Sequence, residues 1–370
     1  MILPEPITNE PPSNADFQHK FLSELLLSRA VELAAAASEA LLRADPRLAQ
    51  RYHPVALAKW AEHYHARIVD LSASISAGRP SLFANQVIWA KAAFAARAVP
   101  IEDLRISLTT LGAVLRFEVI PEDATVITFF IGEAIAHLDS HLVEPPSRLS
   151  TASLHGRTGA NYLLAILEGD RRRAAQVVLD AVRDGVRVRD AYTEILMPVQ
   201  QEIGRMWHAD ELNIAEEHFA TTTTQSVMSR LLGMIEPEPP TGRTVVSAAV
   251  AGNTHEIGVR VVADFFEMAG WRSVYLGADV PGEDLVHACR DFNADVLALS
   301  ATLPAHLRQV EHTLALLRSS LEPSPKVIVG GPAFGGCAGL WHELGADGCA
   351  ASADEAVALG NLLAPPILPR

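Results

Sequence analysis

The chain has 370 residues, 49% of them hydrophobic, and a formal net charge of −14. That length accommodates two or three domains with sizeable cores, and the composition is that of a folded protein rather than a disordered one. The negative charge argues against non-specific binding to nucleic acid or to an anionic membrane, both of which need a basic surface.

Residues 1 to 15 read as a flexible tail. From Phe17 to about His141, apolar residues recur at three- and four-residue spacing, the signature of helices. Breaks fall at Asp45-Pro46, His53-Pro54, Gly78-Arg79-Pro80, Pro100 and Pro121. Several of these prolines suit a first helical turn, where a missing N–H costs nothing. An all-helical domain of five or six helices over 16–144 is expected. Glu144-Pro145-Pro146-Ser147 reads as a linker.

Four helical stretches follow, at about 151–168, 170–184, 188–208 and 213–233, which over 150–236 suggest an antiparallel four-helix bundle. Arg171-Arg172-Arg173, preceded by Glu168 and Asp170, reads as a solvated helix start rather than an anion site. Asn213 followed by Glu216 predicts a capping box. Glu236 to Gly242 is a second, proline-dense linker. Over 243–365, strand-like runs at Thr244–Val250, Ser273–Leu276, Val296–Ser300, Val327–Val329 and, weakly, Gly348–Ala351 alternate with helical segments near 256–269, 282–291, 305–319, 337–343 and 353–363. Such alternation predicts a doubly wound, flavodoxin-like or Rossmann-like sheet of five parallel strands.

Cys289, Cys337 and Cys349 are odd in number and unclustered, which fits reduced thiols in a cytoplasmic protein better than a disulfide framework or structural zinc. The acidic, proline-rich start lacks the basic and apolar regions of a signal peptide, and no apolar run reaches membrane-spanning length. A soluble cytoplasmic protein is expected.

The loop after the first strand, Ala251 to Gly258, carries neither a dinucleotide-binding glycine pattern nor a phosphate-loop lysine. It offers an imidazole, His255, beside small residues that let a large group approach. The third strand ends in Ser300-Ala301-Thr302 and the fourth in Gly330-Gly331-Pro332, so hydroxyls and paired glycines lie on neighbouring strand ends. In an open α/β sheet, ligands bind at these carboxyl ends.

This set resembles the cobalamin-binding domain, with its pattern Asp-x-His-x-x-Gly, then Ser-x-Leu, then Gly-Gly. His255, Gly258, Ser300, Gly330 and Gly331 match it; Asn253 stands where Asp is usual and Thr302 where Leu is usual. The resemblance implies that His255 replaces the cofactor's own dimethylbenzimidazole as lower cobalt ligand. The displaced tail would enter a slot lined by the serine and the glycines. Asn253 would orient His255 without adding negative charge, leaving the imidazole less basic.

The bundle carries Trp207-His208 and then Glu217-His218. This resembles the light-sensing cobalamin photoreceptors (the CarH-type family), whose cap carries Trp-x9-Glu-His over the upper adenosyl group of adenosylcobalamin. His208 matches a further histidine that binds cobalt once light breaks the cobalt–carbon bond. The implied protein is a light sensor and not an enzyme, switching its ligation and quaternary structure. The alternative is a corrinoid methyl carrier serving a methyltransferase; a passive cobalamin carrier is a third reading.

The helical segment 17–141 is close to neutral and holds no basic recognition helix, so DNA binding is not expected. The arrangement resembles the photocobilins, which pair cobalamin with a bilin such as biliverdin. Tyr52, His53, Trp60, His63, Tyr64 and Arg67, with Trp89, Lys91 and Arg97, are residues of types that suit a linear tetrapyrrole. With no cysteine before Cys289, a thioether-linked bilin in this domain is excluded. A globin-like fold, and haem in place of a bilin, stay open. A light-dependent homo-oligomer and an unidentified signalling partner complete the expectation.

Overall fold

The computed structural model describes residues 17–139, 147, 149–150, 152–236 and 238–365, which fall into two compact units. The expected tail at 1–15 and most of the linker at 144–147 lie outside the described residues.

One unit comprises the described residues up to Asp139, with Leu303–Arg308 grouped among them. Its helices are α1 (Phe17–Ser28), α2 (Ala30–Ala44), α3 (Pro46–Arg51), α4 (Ala56–Ser76), α5 (Pro80–Ala96), α6 (Ile101–Phe117) and α7 (Pro121–Ala136). Seven helices appear where five or six were expected. The chain breaks additionally at Arg29, and Asp45 caps the short α3 by accepting the Arg47 N–H at 3.1 Å. Pro46, Pro80 and Pro121 sit in first turns, where φ is already helical and no N–H is missed. Leu26, Leu41, Tyr64, Ile68, Phe83, Leu108, Leu111 and Phe130 fill the core.

The second unit unites the bundle and the sheet. Its helices begin with α8 (Leu154–Leu167) and α9 (Arg171–Arg183). Then α10 (Val188–Asp190) runs through a π turn, Ala191–Leu196, into α11 (Met197–His208), and α12 (Ile214–Leu232) follows. The π turn precedes Pro198, and its wider hydrogen bonds, such as Met197 N–H to Tyr192 O, accommodate a residue that cannot donate. The capping box is present. Asn213 Oδ1 accepts the N–H groups of Ala215 and Glu216, while Glu216 accepts from Asn213 N–H at 2.8 Å.

The sheet strands are β1 (Thr244–Val250), β2 (Arg272–Val280), β3 (Val296–Ser300), β4 (Lys326–Gly330) and β5 (Gly348–Ala350), all parallel, in the order β2-β1-β3-β4-β5. Helices α13 (Ile257–Met268), α14 (Gly282–Asp291), α15 (Leu307–Ser320), α16 (Leu340–Glu343) and α17 (Ala353–Leu363) alternate with them. β1 is buried along its whole length, as befits a central strand covered on both faces. The strand expected at 273–276 runs on to Val280. Two register shifts against β1 absorb Gly277 (φ +86) and Asp279 (φ +55), which lie just past the expected strand end. The expected helix at 337–343 shrinks to α16, and the one at 305–319 opens with a 3-10 turn, Pro304–His306. No helix among the described residues is long and apolar enough to cross a membrane.

Candidate functional site at the strand ends beneath the helical cap

The strand order reverses between β1 and β3, since β1 is followed in sequence by β2 on one side and β3 lies on the other. Loops leaving the carboxyl ends of two such strands diverge and open a crevice. Asn253 and His255 leave β1 there, and Ser300 ends β3.

Asn253 is fully buried and ties these pieces together. Its Nδ2 donates to Ser300 O at 3.0 Å, which fixes the orientation of the amide. Its Oδ1 then accepts the His255 backbone N–H at 3.1 Å and faces His255 Nδ1 at 3.3 Å. An amide oxygen only accepts, so Nδ1 carries the imidazole proton and Nε2 keeps its lone pair. The loop is held from β2 as well: Asp279 accepts Gly252 N–H at 2.6 Å and donates its own N–H to Asn253 O at 3.1 Å. The bulged extension of β2 thus anchors the histidine loop.

His255 remains exposed to solvent, yet enough protein surrounds the ring to lower its pKa; burial is the main cause, and the Glu217 carboxylate acts in the opposite sense. At Gly258 a Cβ would meet nothing within 4 Å, so open space lies over the first turn of α13. An exposed imidazole with a lone pair on Nε2, a partner on Nδ1 and clearance beside it fits a metal-bearing macrocycle.

Gly330 and Gly331 stand where the strand ends crowd together. A Cβ at Gly331 (φ +101) would lie 2.3 Å from Ala301 O, and one at Gly330 2.8 Å from Ala350 O. They are glycine because the ends of β3, β4 and β5 approach so closely. Ser300 is half-buried and Thr302 buried at the same edge.

On the cap, Trp207 and His208 close α11, and Glu217 and His218 open α12, at one end of the bundle. Trp207 packs partly buried against the apolar core. The joining loop is fixed by Arg205, which bonds Glu202 at 2.9 Å and both Glu211 oxygens at 3.2 Å. Glu217 accepts from Thr221 Oγ1 at 2.9 Å and contacts His218 Nδ1 at 2.7 Å; His218 is otherwise exposed.

The cap seats on α13 through one continuous core holding Tyr192, Val227 and Met228 with Val261 and Phe265. Polar ties lie around it. Gln225 Nε2 donates to Glu256 Oε1 at 2.6 Å, and Arg260 to Ser229 Oγ at 2.6 Å. Tyr192 Oη lies 2.8 Å from Asp264 Oδ2 and 3.0 Å from Met228 O. Burial pushes the Asp264 carboxyl up to about 6, with Tyr192 and Arg260 opposing. Sequence reasoning missed Tyr192, Gln225, Glu256 and Asp264. Only Glu256 carried a signal, its place directly after His255.

In the helical unit, Tyr52, Trp60, His63, Tyr64 and Phe94 form a cluster of ring contacts with centroids 5.3–6.3 Å apart. Burial, and then the Arg67 charge, lower the His63 pKa to about 3. The three cations named with this cluster contact the protein itself: Arg67 pairs with Asp70 at 2.9 Å, Lys91 donates to Leu138 O at 2.5 Å and Arg97 to Ala93 O at 3.2 Å.

Comparison with known proteins matches B12-binding domain families to residues 160–232 and 243–359. A corrinoid protein of Desulfitobacterium hafniense is 29% identical over 207 residues, 53% of this chain and 93% of that protein. The transcriptional repressor CarA of Myxococcus xanthus is 30% identical, over 62% of this chain and 75% of its own length. The related repressor CarH from the same organism is 30% identical over 48% of this chain and 59% of its own.

Proposed function

This chain belongs to the B12-binding family of corrinoid proteins, and we propose that within it the protein is a corrinoid carrier, holding cobalamin on His255 beneath the cap for a methyltransferase partner. The observation that carries this reading is the Asn253–His255–Ser300 arrangement at the switch point of the sheet. Cobalamin, when bound, supplies a cobalt centre that accepts and releases a carbon ligand. His255 would offer Nε2 to its lower side, and Asn253 would hold the imidazole tautomer. Ser300, Thr302, Gly330 and Gly331 would border the slot for the displaced dimethylbenzimidazole tail, and Gly258 would give clearance. Trp207, Glu217 and His218 would cover the upper side. The extent of the match to a corrinoid protein, nearly its whole length, supports the carrier reading.

A second reading is a light-responsive regulator using adenosylcobalamin. Two observations favour it: the spacing of Trp207 from Glu217-His218 on one end of the cap, and a helical unit that lies outside both matched segments. His208, at the last turn of α11, would be the residue that moves to the cobalt after illumination, altering the protein's assembly. A bilin such as biliverdin would then be the candidate ligand of the helical unit, beside the Trp60–His63–Phe94 cluster.

Adding adenosylcobalamin in the dark and then illuminating with green light separates the two. A lasting spectral change that His208→Ala abolishes favours the regulator. Binding without such a change, with methyl exchange in the presence of a methyltransferase, favours the carrier. Failure of cobalamin to bind at all rejects both.

A further inference from the structure

We infer that Glu256 is a positioning residue for His255, coupling the seating of the cap to the orientation of the imidazole. The inference rests on the reading of His255 as the lower cobalt ligand. Glu256 follows His255 directly and stands at the N-cap position of α13. Its two carboxylate oxygens are held by two different elements. Oε1 accepts from Gln225 Nε2 of the cap helix α12 at 2.6 Å, and Oε2 accepts from Tyr275 Oη of β2 at 2.6 Å.

The surroundings are shaped for this carboxylate. Gly277 lies opposite, and a Cβ there would stand 3.3 Å from Oε2, so a larger residue would crowd it. Burial and the bond to Glu256 raise the Tyr275 pKa well above its ordinary value, which keeps the phenol a donor. Arg260 stacks over the Tyr275 ring at 5.9 Å and donates to Ser229 Oγ, a second tie between α13 and α12 on the same edge.

The mechanical consequence follows from the distances. Gln225 lies two turns along α12 from Glu217, about 12 Å of helix. A shift of α12 that uncovers the crevice therefore either drags Glu256 or breaks its charge-assisted bond to Gln225, the stronger kind of hydrogen bond. One peptide unit separates Glu256 from His255, so the displacement reaches the imidazole without an intervening side chain. Cap opening and ligand strength become linked states of one element.

The test uses the full chain with hydroxocobalamin. The variants are Gln225→Ala, Glu256→Ala, Gln225→Glu, the exchange Gln225→Glu with Glu256→Gln, and His255→Ala as reference. Losing one such bond should weaken cobalamin binding about tenfold, and should shift the visible spectrum part-way toward that of His255→Ala. Gln225→Glu, which opposes two carboxylates, should shift it further, and the exchange should restore the wild-type spectrum. Hydrogen exchange of the ligand-free protein should show α12 opening in the variants that shift the spectrum. If α12 opens while the histidine-dependent spectrum stays that of the wild type, Glu256 only staples the cap and the inference is overturned. If His255→Ala itself leaves the spectrum unchanged, the lower-ligand reading falls and takes this inference with it.

Discussion

Replacing Asp264 with Asn should stabilise the protein at neutral pH and do so less as the pH falls. The Tyr192 phenol has one proton yet lies within hydrogen-bonding distance of both Asp264 Oδ2 and Met228 O. A protonated Asp264 resolves this by donating to the phenol, which then donates to Met228 O; an ionised Asp264 competes for the phenol proton. The carboxyl pKa is raised from 3.8 to about 6 in the folded protein, chiefly by burial. The native state therefore holds the proton more tightly than the unfolded chain does. Stability contributed by the protonated form is fully present below about pH 4 and is lost as pH rises to about 6, beyond which the loss is constant. At 1.36 kcal/mol per unit, the ionised carboxylate costs about 3 kcal/mol at pH 7.5 and about half of that at pH 5. Asparagine keeps a donor for the phenol and has no charge to bury, so Asp264→Asn should recover most of that difference. Urea unfolding of variant and wild type at pH 5 and 7.5 measures it. An equal effect at both pH values, or destabilisation at pH 7.5, would refute the argument that a buried charge strains the seat of the cap on α13.

Three further outcomes are expected. Asn213→Ala removes the acceptor for two N–H groups at the start of α12 and should cost about 1 kcal/mol, read by urea unfolding, with increased hydrogen exchange in the turn carrying Glu217 and His218. Gly331→Ala forces a side chain into a left-handed conformation and against Ala301 O, and should cost about 2–4 kcal/mol; a variant as stable as wild type would mean that the strand ends are not so close. Because the His255 pKa lies below its ordinary value, the imidazole should stay neutral, and the histidine-dependent cobalamin spectrum should persist, below pH 6.5; a spectrum lost with a midpoint above that value would contradict the burial described here.

Much of the site's scaffold was legible in the sequence, for identifiable reasons. β1, β3 and β4 are short apolar runs ended by small or polar residues, several prolines mark helix starts, and Asn213 forms the expected capping box. β2 was expected to end at Leu276, whereas bulges carry the strand on through Gly277 and Asp279 to Val280. The Gly330-Gly331 pair was legible at a strand end, while its close approach to the backbone of Ala301 and Ala350 was not. Partners distant in sequence left no trace: nothing in Gln225 points to Glu256, and Tyr192 and Asp264 read as ordinary helix residues until α12 and the π turn pack on α13. For the helical unit, the aromatic cluster was visible as residue types, while the engagement of Arg67 by Asp70 was not.

The most direct test of the central claim is electron paramagnetic resonance of the protein loaded with cob(II)alamin and prepared with 15N-labelled histidine. If His255 holds the lower face, the nitrogen splitting of the cobalt signal changes from triplets to doublets on labelling, and the coupling to protein disappears in His255→Ala. Triplets that survive labelling would assign the nitrogen to the cofactor's own dimethylbenzimidazole, and the site built here around Asn253, His255 and Ser300 would not be the cobalt ligand set.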